Sequence, residues 1–214
     1  MHTAPAPPLS GFRSGGVDVV AIGSSTGGPN ALADLIGALR PDWSVPIVIT
    51  QHMPPMFTRL LAERLNNLGP LTVREAEPGM LVQAGHVYLA PGDFHMAVKR
   101  RGLGVEIALN QGPHEHSCRP AVDVLFRSVA QVYGAATLAV VLTGMGSDGL
   151  LGCEGIRAAG GRVLTQDEAS SVVWGMPGFV TRAGLAYKTL PLDAIAAELG
   201  LTVKPELTAV KRPA

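Results

Sequence analysis

A serine set between glycines, Gly23-x-Ser25-x-Gly27, has the residue types for nucleophilic acyl transfer, because the glycines permit a strained turn that lifts a hydroxyl clear of its surroundings. Such a hydroxyl needs a base to take its proton and a carboxylate to orient that base. His52 and Asp148 are the candidates for those roles. The same turn has two other readings: Gly-rich turns that open a helix cradle phosphate through free N–H groups and the positive end of the helix dipole, and some only pack. The dinucleotide fingerprint G-x-G-x-x-G and the P-loop ending Gly-Lys-Ser/Thr are both missing from Gly23-Ser24-Ser25-Thr26-Gly27-Gly28.

These residues fall at comparable places in the chain. Ser25 follows the apolar run Val17-Asp18-Val19-Val20-Ala21-Ile22 and precedes Pro29, suited to a first helical position, and Leu32, Leu35, Ile36 and Leu39 at helical spacing. His52 follows Val45 to Thr50, apolar throughout as a buried parallel strand is, and precedes a helix expected from about Met56 to Leu68. Asp148 follows the strand Thr137 to Leu142 in the glycine-dense Thr143-Gly144-Met145-Gly146-Ser147-Asp148-Gly149, before a helix to about Ala159. All three thus lie just beyond the carboxyl ends of strands, where ligands bind in open α/β sheets.

Between Leu71 and Leu109 four short strands separated by glycine turns read as antiparallel hairpin material. Pro120 opens a helix to Tyr133 with Val122, Leu125, Phe126 and Val129 on one face, and Arg162 to Thr165, Leu185 to Lys188 and Leu192 to Leu199 give two more strands and a closing helix. The alternation predicts an α/β fold: a doubly wound, mostly parallel sheet with helices on both faces and an antiparallel hairpin. Met1 to Gly16, rich in Pro, Ala, Ser and Gly, reads as a disordered leader, residues 17–200 as one catalytic domain and residues 201–214 as a polar tail.

Each role has rivals. His86 and His95 alternate with apolar residues, His114 and His116 flank Glu115, and His114-x-His116 offers a metal two imidazoles without a third ligand at recognisable spacing, so no metal or cofactor is expected. Asp148 could merely cap the helix after it, with Asp167 or Glu168 as the orienting carboxylate. Seventeen basic and seventeen acidic residues cancel, which argues against an electrostatic grip on nucleic acid or anionic lipid. Cys118 and Cys153 form neither a disulfide framework nor a C-x-x-C pair, and no apolar run approaches the roughly 20 residues that span a bilayer. A cytoplasmic protein is expected.

The chain resembles a known family, the catalytic domain of the chemotaxis receptor methylesterases (CheB). The resemblance rests on Ala21-Ile22-Gly23-Ser24-Ser25-Thr26-Gly27-Gly28, Gln51-His52-Met53-Pro54, Leu89-Ala90-Pro91-Gly92, Arg119-Pro120-Ala121-Val122-Asp123-Val124-Leu125-Phe126, Leu142-Thr143-Gly144-Met145-Gly146-Ser147-Asp148-Gly149, Gln166-Asp167-Glu168-Ala169-Ser170 and Gly175-Met176-Pro177. It implies Ser25 as nucleophile, His52 as general base, Asp148 as its orienting acid, and Thr26 and Met145 lining the site and helping to hold the oxyanion. It further implies demethylation of glutamyl methyl esters on the cytoplasmic helices of methyl-accepting receptors, with glutamine deamidation beside it. Ser24 and Ala121 stand where the family often has Ala and Ser, which leaves the three site residues untouched. Family members commonly carry an amino-terminal receiver domain; sixteen residues before the first strand are fewer than the roughly one hundred a receiver needs, so ungated activity is expected.

Overall fold

Val19–Ser24 (β1) is buried along its whole length, as are Ile47–Gln51 (β2) and Thr137–Val141 (β7), which flank it on either side in parallel. Strands apolar on both faces belong at the centre of a sheet covered by helices twice over. The computed structural model describes residues 16–203, so most of the expected leader and the end of the expected tail lie outside the described residues.

The other strands of that sheet are Thr72–Glu75 (β3), His86–Leu89 (β4), Arg162–Gln166 (β8) and Lys188–Leu190 (β9), in the order β3-β4-β2-β1-β7-β8-β9 with every pairing parallel. Its residues alternate between two cores. Val20, Ile22, Ile47, Ile49, Leu138 and Val140 pack with the helices Gly28–Gly37 (α1), Pro55–Asn66 (α2) and Leu192–Thr202 (α6). Val19, Ala21, Val48, Ala139 and Val141 face Val122–Tyr133 (α3), Leu150–Ala158 (α4) and Met176–Arg182 (α5). Helix α3 shows why: Val122, Leu125, Phe126 and Val129, three or four apart, are all fully buried. Helix α6 runs to Thr202, beyond the Leu199 end expected from its apolar residues.

The expected hairpin region divides. His95–Arg101 (β5) and Gly104–Asn110 (β6) are an antiparallel pair whose Met96, Val98, Val105 and Ile107 join the second core. β3 and β4, read from sequence as hairpin material too, instead extend the main sheet in parallel, paired Thr72 to His86 through Glu75 to Leu89. Their short length and the glycine turn at Gly85 imitate a hairpin, but Val73, Val87 and Leu89 have a helix-covered core to fill, and that burial decides the pairing.

Strand order reverses between β1 and β7, since the chain leaves β1 towards β2 and later returns to its other side. A crevice forms at such a reversal beyond the carboxyl ends of the strands. The turn that leaves β1 there depends on Gly27, at φ 83, where an added Cβ would lie 2.7 Å from the Val172 side chain. Gly27→Ala should therefore cost about 1–2 kcal/mol from the left-handed backbone alone, read as a lower urea midpoint at unchanged slope. An unchanged midpoint would show that this turn relaxes freely.

Candidate active site

Ser24 and Gln51 are register partners at the ends of β1 and β2, so Ser25 and His52 leave adjacent parallel strands at one level. The His52 N–H donates to the Ser24 carbonyl at 3.1 Å. Buried Gln51 fixes the two turns together: its Nε2 donates to the Ser25 and His52 carbonyls, each at 2.9 Å, while its Oε1 accepts from Ser24 Oγ at 2.8 Å. The Ser24 hydroxyl is thereby buried and committed, which leaves Ser25, half-buried, as the hydroxyl at the crevice. Gly144 crosses close over it, where a Cβ would stand 2.8 Å from Ser25 Cβ.

Asp148 arrives from the loop after β7, and its carboxylate is buried. It accepts from the backbone N–H groups of Val122 and Asp123 at 2.6 and 2.9 Å and from His52 Nε2 at 2.7 Å. Ala121, the residue before α3, has no side-chain oxygen to cap that helix, so Asp148 caps it from another loop. The helix it caps is α3, whereas the sequence offered the following helix, α4, whose cap is Gly149 in the left-handed region. Burial alone would push the Asp148 carboxyl up, but the His52 N–H and the two amides outweigh it and hold the group below the usual carboxylate range.

An ionised Asp148 accepts, so His52 Nε2 carries the hydrogen and Nδ1 presents a lone pair. That lone pair faces Cys118 Sγ at 3.6 Å. Burial first, and the Asp148 charge second, push the Cys118 thiol up, so it remains S–H. Ser25 Oγ forms no hydrogen bond among the described residues. Thr26 and Met145 flank Ser25 and Gly144 at the surface, Met145 being 68% exposed, and among the described residues neither backbone N–H has a partner.

Of the rival histidines, all but His116 are placed elsewhere. His86 begins β4, at the amino ends of the strands and away from the site at their carboxyl ends, with Nδ1 3.0 Å from the Ala84 carbonyl. His95 is buried with both ring nitrogens used, by the Pro113 carbonyl and the Ala121 N–H. His114 is exposed, and Asp167 accepts from Ser170 N and Oγ at 3.0 and 2.6 Å. His116 joins Asp123 and Asp148 in a cluster whose ligand atoms lie within 4.8 Å of one another. Its carboxylate oxygens already take hydrogens from Gly152 N, Val122 N, Asp123 N and the two imidazoles, so it is a hydrogen-bonded network and not a ligand set. From sequence, Gln51 and Asp123 have no role of their own, and His116 counts only as a rival imidazole and metal ligand and Cys118 only for pairing; Asp123, an acid in the first turn of a helix, carries the one readable signal of this network. An open groove of about 400 Å³ between α2 and β3, lined by Arg59, Glu63, Arg74 and Glu75 among others, shares no residue with this site.

A carboxyl held below its unfolded value adds stability that is present above that value, about 3.9, and is lost as pH falls through the folded value. The stability advantage of the native protein over Asp148→Asn should therefore shrink as pH falls below about 4. Parallel urea titrations from about pH 5 downward measure it. A gap that goes on widening below about pH 4 would mean that Asp148 is not stabilised as the anion.

Comparison with known proteins adds relatives to this geometry. A protein-glutamate methylesterase/protein-glutamine glutaminase of Trichodesmium erythraeum is 55% identical over 183 residues, 86% of this chain and 52% of that protein. One from Maricaulis maris is 54% identical over 175 residues, 82% of this chain and 44% of that protein. The chain spans about half the length of the curated relatives it matches. The crystal structure of the Thermotoga maritima CheB methylesterase catalytic domain superposes with a TM-score of 0.84 at 44% identity, covering 86% of this chain and 97% of that one. Residues 20–199 match the CheB methylesterase family, so the chain belongs to that family.

Proposed function

We propose that the chain is a serine hydrolase that removes methyl groups from glutamyl methyl esters of methyl-accepting chemoreceptors and deamidates receptor glutamines at the same site. The observation that carries it is the 2.7 Å bond between His52 Nε2 and a buried Asp148 beside the strand-end Ser25. Asp148 fixes the imidazole so that Nδ1 points away from it, able to take the Ser25 proton once it gives up its 3.6 Å contact with Cys118 Sγ. Ser25 Oγ attacks the ester carbonyl, its proton passes to His52 Nδ1, and a tetrahedral oxyanion forms. The amides of Thr26 and Met145, which have no partner among the described residues, are the candidate donors to it. His52 returns the proton to the leaving methoxide, releasing methanol; water, deprotonated by the same imidazole, then splits the acyl-serine. With a glutamine the leaving group is ammonia. The Ser25 to His52 hydrogen bond that this proton transfer needs would form in the Michaelis complex, where catalytic hydrogen bonds close.

A macromolecular substrate suits the surroundings. Met145 and Val172, 68% and 70% exposed, flank the serine turn, and Met56 and Phe57 stand exposed at the start of the helix after His52. Exposed apolar groups beside a polar site favour a protein segment over a small ester. No helix among the described residues is long and apolar enough to cross a membrane. We place the enzyme in the cytoplasm, where the signalling helices of such receptors lie.

A second reading follows from the 3.6 Å contact of Cys118 with His52 Nδ1, which gives that thiol the position of a nucleophile. Its raised pKa disfavours the thiolate that such chemistry needs. Methanol release from methylated receptor and fluorophosphonate labelling decide between the two. Ser25→Ala, His52→Ala and the double variant should each lose roughly four powers of ten, because residues of one catalytic unit do not add. Cys118→Ala should stay within about threefold, under 1 kcal/mol, and keep its labelling. Activity that survives in Ser25→Ala and dies in Cys118→Ala would transfer the nucleophile to the cysteine.

A further inference from the structure

The loop that brings Cys118 to His52 also carries His116, an imidazole that the reaction above does not use. Glu115 and Cys118 exchange backbone hydrogen bonds at 2.8 and 3.2 Å, closing a two-residue turn in which His116 and Ser117 have φ of 51° and 60°. Neither is glycine, so this left-handed turn persists only because its surroundings hold it. They hold it at three points: His116 Nε2 lies 2.8 Å from Asp123 Oδ2, Glu115 pairs with Arg127 at 2.6 Å, and Cys118 meets His52.

Asp123 is the centre of that arrangement. Its backbone N–H is one of the donors to Asp148, while its fully buried carboxylate accepts from Gly152 N at 2.6 Å and from His116. His116 Nε2 stands 3.9 Å from Asp148 Oδ1, so the two carboxylates are neighbours with the imidazole beside both. The other titratable and charged groups coupled to the cluster are Arg127 from α3, Cys153 from α4, itself beside Glu154, and His52 and Cys118 across it. Without the His116 hydrogen, the Asp123 carboxylate would keep only the Gly152 donor in a buried place beside a second anion. Taking a proton, it would offer that hydrogen to the neighbouring Asp148, whose ligand oxygen lies within 4.8 Å, in competition with His52.

We propose that His116 is a positioning residue of the reaction: by donating to Asp123 it holds the start of α3 in the setting where Asp148 is free, as the anion, to orient His52. This rests on the reading that Ser25, His52 and Asp148 act together. It assigns a function to a strained turn and a buried carboxylate that the three reacting groups leave unexplained.

The test is steady-state methanol release by the whole chain carrying His116→Ala or His116→Gln, run beside His52→Ala, with the downfield proton resonance of the His52 to Asp148 bond recorded for each. His116→Ala should lower kcat about tenfold, the cost of leaving one buried acceptor short of a partner, with KM unchanged and the resonance weakened. A glutamine amide reaches about as far as imidazole Nε2 and donates likewise, so His116→Gln should recover most of the rate and the resonance. Should His116→Ala prove too unstable to assay, Asp123→Asn leaves one acceptor oxygen where the carboxylate has two, so either Gly152 N–H or His116 Nε2 faces an NH2 group at nearly constant shape, and it should reproduce the kcat loss. Full kcat in His116→Ala or Asp123→Asn, with His52→Ala inactive, overturns the positioning role and leaves the triad standing. A loss that His116→Gln does not recover, with the resonance intact, overturns it too. Activity retained in His52→Ala instead removes the reading on which the proposal rests.

Discussion

The buried Asp148 carboxylate at the amino end of α3 is the contact on which the rest of the site depends. An anion removed from water is unfavourable by many kcal/mol unless donors replace the lost solvent. Here the Val122 and Asp123 amides, at the positive end of a helix, and the His52 ring supply them. Three separate parts of the chain are thereby tied at one point: the loop after β7, the first turn of α3 and the end of β2. If the carboxylate moved, the helix would lose its cap and the imidazole its orientation together. The same atoms serve stability and chemistry, and this explains a buried charge beyond the carboxyl ends of the central strands.

Opposite it, Gln51 does the corresponding work for the serine. As a neutral amide it donates to two carbonyls and accepts from one hydroxyl, satisfying buried groups of both β1 and β2 without adding charge. The parallel register then fixes how far Ser25 stands from His52, because the two strands end at the same level. Both the nucleophile and the base are therefore positioned by sheet geometry, whereas the acid is positioned by a helix terminus. The reversal of strand order between β1 and β7 brings those two devices together.

The legible parts of the chain were those in which burial leaves a periodic trace. Continuous apolar runs gave β1, β2 and β7, and the spacing of Val122, Leu125, Phe126 and Val129 gave α3. Glycine punctuation placed Ser25 and Asp148 at strand ends. Short strands failed the same test: β3 and β4, four residues each, have no pattern long enough to tell a parallel pair from a hairpin, and tertiary packing decided it. The contacts that His116 and Cys118 make left no trace, since a turn held by side-chain contacts to distant residues has no period at all. Which helix Asp148 caps was hidden for a related reason: the donors come from residues some 25 positions earlier in the chain.

Two carboxylates stand side by side at this helix end, and what separates their roles is the set of donors each receives. Asp148 has two amides and an imidazole, enough to overcome burial and hold it below the usual carboxylate range. For Asp123 burial wins: aided by the neighbouring Asp148 charge, it pushes the group up against the pull of the Gly152 amide and His116. A raised carboxyl contributes stability that is complete below its unfolded value and lost as pH rises through the folded one, so at neutral pH Asp123 is a liability to the fold where Asp148 is an asset. Residue type is the same in both, and so is depth. Environments that drive like groups in opposite directions are how one site obtains two functions from one chemistry. Asp148, the better solvated by the protein, is the one that can remain an anion beside an imidazole that must gain and lose a proton; Asp123, the worse solvated, requires a partner of its own, and the strained turn supplies it in His116.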